Sequence, residues 1–391
     1  MRSLDSLQDV AGRRVFVRVD FNVPLDDQQQ ITDDARIRGA LPSLEWLRER
    51  GGRLIVAAHL GRPKDREPEL SLKPAAERLS ELLGTPVRLA PEVVGPEVEA
   101  LADELADGEV LMLENVRYEP GETKNDSELS QAYARLAEVY VNDAFGAAHR
   151  AHASTEGIAH LTREAVAGRL LEREVTVLQG ILEDPERPLV AVMGGAKVTD
   201  KIGVIDAFLS RADHILIGGA MCFPFFKAQG HGVGDSLCEH EGVEPARRAL
   251  EQAETASGKL SLPVDLTVAR DFSADAERRD SDGVDVEEGW MGLDVGPRTA
   301  ERYAQVIAEA GTVFWNGPMG AFELDPFARG TREVAEAVAS TSATTVVGGG
   351  DSAAALAQFG LQAQVDHLST GGGASLELIE GRALPGVEAL S

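Results

Sequence analysis

Lysine is scarce in this chain of 391 residues: seven lysines stand among 38 basic side chains, and the rest are arginine. Cysteine is scarcer, with only Cys222 and Cys238. Neither falls in a CxxC or CxxH spacing, so no zinc site is written into the sequence and two reduced thiols are expected. No apolar run approaches the ~20 residues of a membrane span, and the N-terminal MRSLDSLQDVAGRR lacks the apolar stretch of a secretion signal. A cytoplasmic location is expected. Positive charge is in deficit, with a formal net charge of −27. That argues against nucleic acid and against a membrane surface as partners, since both demand a basic face. Any anionic ligand must therefore meet cations clustered locally. The acid-rich, lysine-poor composition also suggests adaptation to high salt, where carboxylates keep a protein hydrated.

With 43% apolar residues, the chain can bury large cores, and its length favours two domains over one. Short runs rich in apolar and β-branched residues recur: VFVRV at 15, LIVAAH at 54, VLML at 110, VYV at 139, LVAVM at 189, HILI at 214, LTVA at 266, TVFW at 312 and TTVV at 344. Helical patterns separate many of them. From Pro42 to Arg50, Leu44 and Leu47 continue a face begun by Ile37 and Leu41, with Pro42 suited to a first turn and Gly51 to a stop. Strands alternating with helices predict an α/β fold, two Rossmann-like domains with mainly parallel sheets. Residues 168–182 read as an interdomain helix, ended by Asp184-Pro185 to Pro188. This divides the chain into an N-terminal domain at 1–167 and a C-terminal domain from 183.

Polar or glycine-rich residues follow the strands, at the carboxyl ends where open α/β sheets bind ligands. The first half supplies Asp20-Phe21-Asn22, His59-Leu60-Gly61-Arg62, Glu114-Asn115-Val116-Arg117 and Asn142-Asp143. The second supplies Gly194-Gly195, Gly218-Gly219, Asn316-Gly317-Pro318 and Gly348-Gly349-Gly350-Asp351. One half thus suits a small polyanion gripped by side chains, and the other suits nucleotide phosphates held by backbone and helix termini. In LVAVMGGAKVTDKIGVI at 189–205, a buried strand leads through two glycines to Lys197 and Lys201 and a helical stretch that Thr199 or Asp200 can cap. On its own the segment reads either as a phosphate site or as a solvated turn with two surface lysines. It matches neither the P-loop nor GxGxxG.

RVDFNVP at 18–24, HLGRPK at 59–64, LENVRY at 113–118, VNDAFGAAHRAH at 141–152, GGAKVTDKIGVI at 194–205, VFWNGPMGAFE at 313–323, GGGDSAAA at 348–355 and STGGGASLELIEG at 369–381 occur in this order. Together they resemble the phosphoglycerate kinase family over essentially the whole chain. The resemblance implies Mg2+-dependent, reversible phosphoryl transfer between 1,3-bisphosphoglycerate and ADP, giving 3-phosphoglycerate and ATP. It implies a substrate site of Asp20, Phe21, Asn22, Arg36, His59, Leu60, Gly61, Arg62, Arg117 and Arg150. Gly194, Gly195, Lys201, Gly218, Gly219, Gly292, Leu293, Asn316, Glu323, Gly349, Gly350, Asp351 and Ser352 would form the nucleotide site. Arg36, Lys197 and Lys201 would meet the transferring group, and Asp351 would hold the metal. It further implies a hinge, a monomer, and a C-terminal domain at 183–383 followed by a segment, 384–391, that returns to the N-terminal domain. Departures are few: Ser352 stands for the more usual threonine, Tyr118 for phenylalanine, and Ala220 where a third glycine is common. A dehydrogenase is the rival enzyme class, but GxGxxG with its following acidic residue is missing. A non-enzymatic nucleotide-binding protein of the same fold would have lost Arg36, Lys201 or Asp351, and all three are present.

Overall fold

The first six strands are Arg14–Val19 (β1), Arg53–Ala57 (β2), Val87–Leu89 (β3), Val110–Met112 (β4), Val139–Asp143 (β5) and Glu164–Ala167 (β6). In this computed structural model, which describes residues 1–256 and 259–390, they form one parallel sheet in the order β3-β4-β2-β1-β5-β6. β1, β2 and β5 are buried at nearly every position. Their continuous β-branched runs are what a sheet covered on both faces needs. Helix Ala35–Glu49 sets Ile37, Ala40, Leu44 and Leu47 into the same core as Val15, Val17, Leu54 and Val56. Pro42 lies inside this helix rather than in its first turn, a correction to the sequence reading. Buried apolar residues on both sides of Pro42, each stabilising by roughly 1.5–3 kcal/mol, carry the helix through a proline that costs about 3 kcal/mol. Gly51, at φ +77°, ends it, donating to the Arg48 carbonyl at 2.9 Å.

The later strands are Leu189–Met193 (β7), His214–Ile217 (β8), Lys259–Ser261 (β9), Leu266–Ala269 (β10), Arg278–Asp280 (β11), Met291–Val295 (β12), Thr312–Asn316 (β13), Thr344–Gly348 (β14) and His367–Leu368 (β15). A second parallel sheet has the order β15-β14-β13-β7-β8-β9, and β11-β10-β12 form a small antiparallel sheet. The LTVA run at 266 therefore belongs outside the parallel sheets. Helices Pro297–Ala308 and Arg329–Ser340 pack Ala300, Tyr303, Ile307, Val334 and Val338 against Val190, Val192, Val313 and Trp315.

The chain divides into a first unit, Met1–Thr176 with the residues from Ala383 onward, and a second, Val177–Arg382. The division falls within helix Arg169–Glu183. In the first unit, Gly386 donates to the Ala148 carbonyl at 2.8 Å, Asn142 Nδ2 to the Gly386 carbonyl at 3.0 Å, and the Arg2 amide to the Leu390 carbonyl at 2.8 Å. Asp143, at the end of β5, accepts the Leu170 and Leu171 amides at 2.9 and 3.1 Å, and Ser43 Oγ accepts the Arg169 amide at 2.8 Å. Burial pushes the Asp143 carboxyl up to about 7 against those hydrogen bonds. Among the described residues no helix is long and apolar enough to cross a membrane.

Candidate active site

In the first unit, the ends of β1, β2 and β4 deliver an interlocked polar cluster. Asp20 leaves β1 almost fully buried and accepts Arg36 Nη1 at 2.5 Å and the Asn22 amide at 3.2 Å. Burial would raise its pKa, but the fields of His59, Arg36 and Arg18 with the Asn22 amide outweigh that and hold it below the ordinary range. His59 is itself pushed down to about 3, first by burial and then by Arg18, Arg117 and Arg36. At neutral pH the imidazole is uncharged, so the two arginines and the amide keep Asp20 ionised. Arg18 is buried, with Nε donating to Ser154 Oγ at 2.7 Å and Nη2 lying 3.1 Å from His59 Nδ1.

Asn22 Oδ1 accepts the Gly61 amide at 2.8 Å, and Arg117 Nη1 donates to the Gly61 carbonyl at 2.6 Å. Gly61 sits at φ +60°, which suits a residue without Cβ. Arg62, Arg117 and Arg150 then line one cavity of about 450 Å3, together with Lys64 and His152. The Arg117 pKa is lowered by burial and by the charges of Arg18 and Arg62, which outweigh the opposing fields of Glu122 and Asp20. Of the expected substrate residues, Phe21 is fully buried and Leu60 is 4% exposed, both in the hydrophobic core.

In the second unit, glycine turns bring β7, β8 and β13 into close register. Gly194 and Gly195 donate to the carbonyls of Asn316 and Pro318, each at 2.9 Å. At Gly219, φ is +65° and a Cβ would stand 2.6 Å from both the amide nitrogen and the carbonyl oxygen of Gly195. The Lys201 ammonium lies on this seam, donating to the carbonyls of Gly194 at 2.6 Å and Asn316 at 3.0 Å. Burial pushes it down to about 8, against the fields of Asp351 and Asp200. Lys201 also occupies the N-cap position of helix Ile202–Leu209, with no side-chain cap. Neither Thr199 nor Asp200 caps that helix, contrary to expectation, and the Thr199 hydroxyl and amide are spent on Glu239 at 2.5 and 3.0 Å. Lys197 is exposed on the preceding turn.

A cavity of about 720 Å3 gathers Gly195, Gly219, Gly292, Leu293, Glu323 and Asp351. Gly292 cannot carry a side chain, because a Cβ there would lie 2.5 Å from the Phe223 ring. Gly218 backs onto Met319, with a would-be Cβ 2.5 Å from its sulfur. Asp351 is exposed in the first turn of helix Gly350–Phe359. Asn316 Nδ2 is buried with no hydrogen-bond partner, and a Cβ at Gly349, at φ +93°, would come within 3.1 Å of it. Ser352 is fully buried, and its Oγ accepts the Gly317 amide at 2.6 Å, so this hydroxyl braces the turn.

Sequence reasoning missed several residues here. Phe272, Leu237 and Met291 line the cavity, the first two standing 57% and 66% exposed. Phe272 and Leu237 are single apolar residues in polar loops and Met291 opens an edge strand, so none of them leaves a periodic signal. Asn115 is fully buried and donates to the carbonyls of Leu60 and Leu70 at 2.8 and 2.9 Å while accepting from the amides of Leu60 and Arg117. Its place after β4 was visible, but its part in fixing the His59–Arg62 loop was not.

Arginines assembled around one small cavity, and glycine turns with a lysine around another, define an α/β phosphotransferase that works on two anionic ligands. The family model described as phosphoglycerate kinase matches residues 4–382. The chain is 51% identical over 385 residues to the cytosolic phosphoglycerate kinase of Triticum aestivum, covering 98% of this chain and 96% of that protein. It is 53% identical over 388 residues to the phosphoglycerate kinase of Chloroflexus aurantiacus, covering 98% and 97%. The solved phosphoglycerate kinase of Coxiella burnetii superposes with a TM-score of 0.89 at 41% identity, covering 99% and 98%. The chain belongs to the phosphoglycerate kinase family. Its reaction is the glycolytic phosphoryl exchange between 1,3-bisphosphoglycerate and ADP.

Proposed function

We propose that the first unit holds 3-phosphoglycerate through Arg36, His59, Arg62, Arg117 and Arg150. Asp20 and Asn22 orient those side chains and the hydroxyl end of the substrate, and Phe21, Leu60 and Gly61 contribute backbone. The second unit holds the nucleotide: Gly218, Gly219, Gly292 and Leu293 wall the base, Glu323 meets the ribose, and Gly194, Gly195, Gly349, Gly350 and Asn316 surround the phosphates. Ser352 serves by holding the Gly317 turn. The observation that carries this reading is the unpartnered, buried Nδ2 of Asn316, which lies against Gly349 at the start of helix Gly350–Phe359, in a residue whose backbone carbonyl accepts the Lys201 ammonium. A donor left unsatisfied costs roughly 1–3 kcal/mol, and an anion supplies the missing acceptor.

In the direction that consumes ATP, the carboxylate oxygen of 3-phosphoglycerate bonds to the γ-phosphorus of ATP as the bond to the β–γ bridging oxygen breaks, its electron pair leaving on ADP. The attacking carboxylate is already ionised, so no general base is needed, and the protein's task is charge and position. Arg36 and Lys201 balance the charge on the equatorial oxygens, and Lys197 reaches the same group. Among the described residues no set of three or more acidic, His or Cys side chains makes an all-protein metal cage. Of the exposed carboxylates that line the nucleotide cavity, Asp235, Glu323 and Asp351, the last stands in the first turn of helix Gly350–Phe359, where it suits Mg2+ held mainly by phosphates. Asp351 would hold that ion, which neutralises the nucleotide's phosphate charge when bound.

The reacting atoms must meet, so the reading includes closure of the two units when both substrates bind. Small-angle scattering that shows no compaction with both substrates would count against it. A monomer, a cytoplasmic location and stability that rises in molar salt complete the proposal, checked by sedimentation, fractionation and melting in graded KCl. The central test is a coupled assay of 3-phosphoglycerate with MgATP. Wild type should turn over, and Lys201→Ala and Arg36→Ala should each lose about 100-fold or more in kcat. Equal rates for Lys201→Ala and wild type would remove the role assigned to Lys201, and Asp351→Asn should raise the Mg2+ concentration needed for half-maximal rate.

A further inference from the structure

Trp290 is only 5% exposed, and much of what covers it is charge. The guanidinium carbon of Arg270 stands 4.2 Å from the ring centroid and that of Arg279 stands 4.5 Å away. Strand register builds this stack. Val268 pairs with Arg279, and Ala269 with Met291, which sets Trp290 across from Arg270 and brings all three side chains to one face of the small sheet. Each guanidinium is tethered as well. Arg270 Nη1 donates to the Gly289 carbonyl at 3.3 Å and its Nε lies 3.8 Å from Glu277, while Arg279 pairs with Glu287 at 3.0 Å. The two carboxylates offset the repulsion of two like charges over one indole.

Both ends of the stack run directly into a cavity wall. Trp290 immediately precedes Met291, Gly292, Leu293, Asp294 and Val295, all of which line the 720 Å3 cavity. Arg270 follows β10 and opens the turn that carries Phe272 to the same cavity. That turn closes on itself through the Arg270 amide and the Glu277 carbonyl at 3.0 Å. The stack is therefore the joint at which two walls of the cavity are fixed relative to each other.

We propose that Arg270 and Arg279 are positioning residues for nucleotide binding: by clamping Trp290 they set the gap between Phe272 and β12 into which a planar base inserts. The proposal rests on the assignment of this cavity to the nucleotide. Neither arginine lines the cavity, and neither touches the reacting atoms, so their effect falls on nucleotide affinity alone. Removing both cations frees the turn and widens the distribution of Phe272 positions, which the nucleotide must then restrict on binding.

The test compares wild type, Arg270→Ala/Arg279→Ala and Arg270→Lys/Arg279→Lys, each first shown by thermal melting to be folded at the assay temperature. The double alanine variant is expected to raise the KM and calorimetric Kd for MgADP by about tenfold, with kcat and the KM for the phosphoglycerate partner within about twofold of wild type. The double lysine variant should recover most of the affinity, since an ammonium over the ring retains the cation–π attraction. Unchanged nucleotide Kd in a folded double alanine variant overturns the clamp. So does a parallel loss in kcat and in both KM values, which marks a general structural role. Failure of wild type itself to bind MgADP, or absence of nucleotide protection at Phe272 and β12 in hydrogen exchange, overturns instead the assignment of the cavity, and the clamp with it.

Discussion

Lys201 should take up a proton when nucleotide binds. Its ammonium lies among backbone carbonyls, and burial pushes its pKa down to about 8 despite Asp351 and Asp200. Phosphate oxygens beside the ammonium favour the charged form and return the pKa toward the ordinary lysine value of ~10.4. At pH 8 the free enzyme carries roughly half a proton on Lys201 and at pH 9 roughly a tenth, whereas the complex is nearly saturated at both. Binding of MgADP should therefore absorb about half a proton at pH 8, about 0.9 at pH 9 and less than about 0.1 at pH 7. Linkage makes the affinity fall toward tenfold per pH unit above pH 8. Titration calorimetry in pairs of buffers with different ionisation enthalpies reads the proton count from the slope. Lys201→Met, of similar shape and without the charge, should abolish the uptake. No uptake at pH 8–9 in wild type, or equal uptake in Lys201→Met, would refute the placement of nucleotide phosphate beside this ammonium.

Gly219→Ala should lose at least about 2–3 kcal/mol of stability in urea unfolding, since a positive φ and a 2.6 Å approach to the Gly195 backbone leave no room for a methyl group, and nucleotide affinity should fall with it. Asn115→Ala strips four hydrogen bonds from a fully buried site and should cost about 2–4 kcal/mol, with a larger rise in the KM for 3-phosphoglycerate than for nucleotide, read by denaturation and steady-state kinetics. Asp143, raised from 3.8 to about 7 in the fold, binds more protons folded than unfolded between those values, so its contribution is favourable below pH 4 and lost as pH rises to 7. Asp143→Asn should therefore gain stability on wild type by up to about 2–4 kcal/mol at pH 8, and the gain should vanish toward pH 4 in melting experiments across pH.

The strands that announce themselves in the sequence are β1, β2, β4, β5, β7, β8, β10, β13 and β14. Each has neighbours on both sides. Burial on both faces demands unbroken apolar runs, and such runs are readable. β3, β6, β9, β11, β12 and β15 are the edges of the three sheets, and segments such as VRL, KLS and RRD show no period because one side of each has no strand to pack against. The site divides in the same way. Glycine turns and arginines after strands stand out because backbone conformation and charge restrict the residue type. Asn115, Leu237 and Phe272 act through contacts made only once distant segments meet, and nothing nearby in the chain marks them. Pro42 shows the converse, a strong local signal overruled by the core around it.

The hydrogen bond from Asn142 to Gly386 joins residues 244 positions apart, across the whole of the second unit. A chain emerging from the ribosome presents β1 to β6 early and must wait for that entire stretch before the docking segment exists. The second unit, continuous in sequence, faces no such delay and can complete its own core first. Assembly order should thus invert chain order, with the earlier half remaining the one exposed to chaperones and proteases until its closing segment arrives.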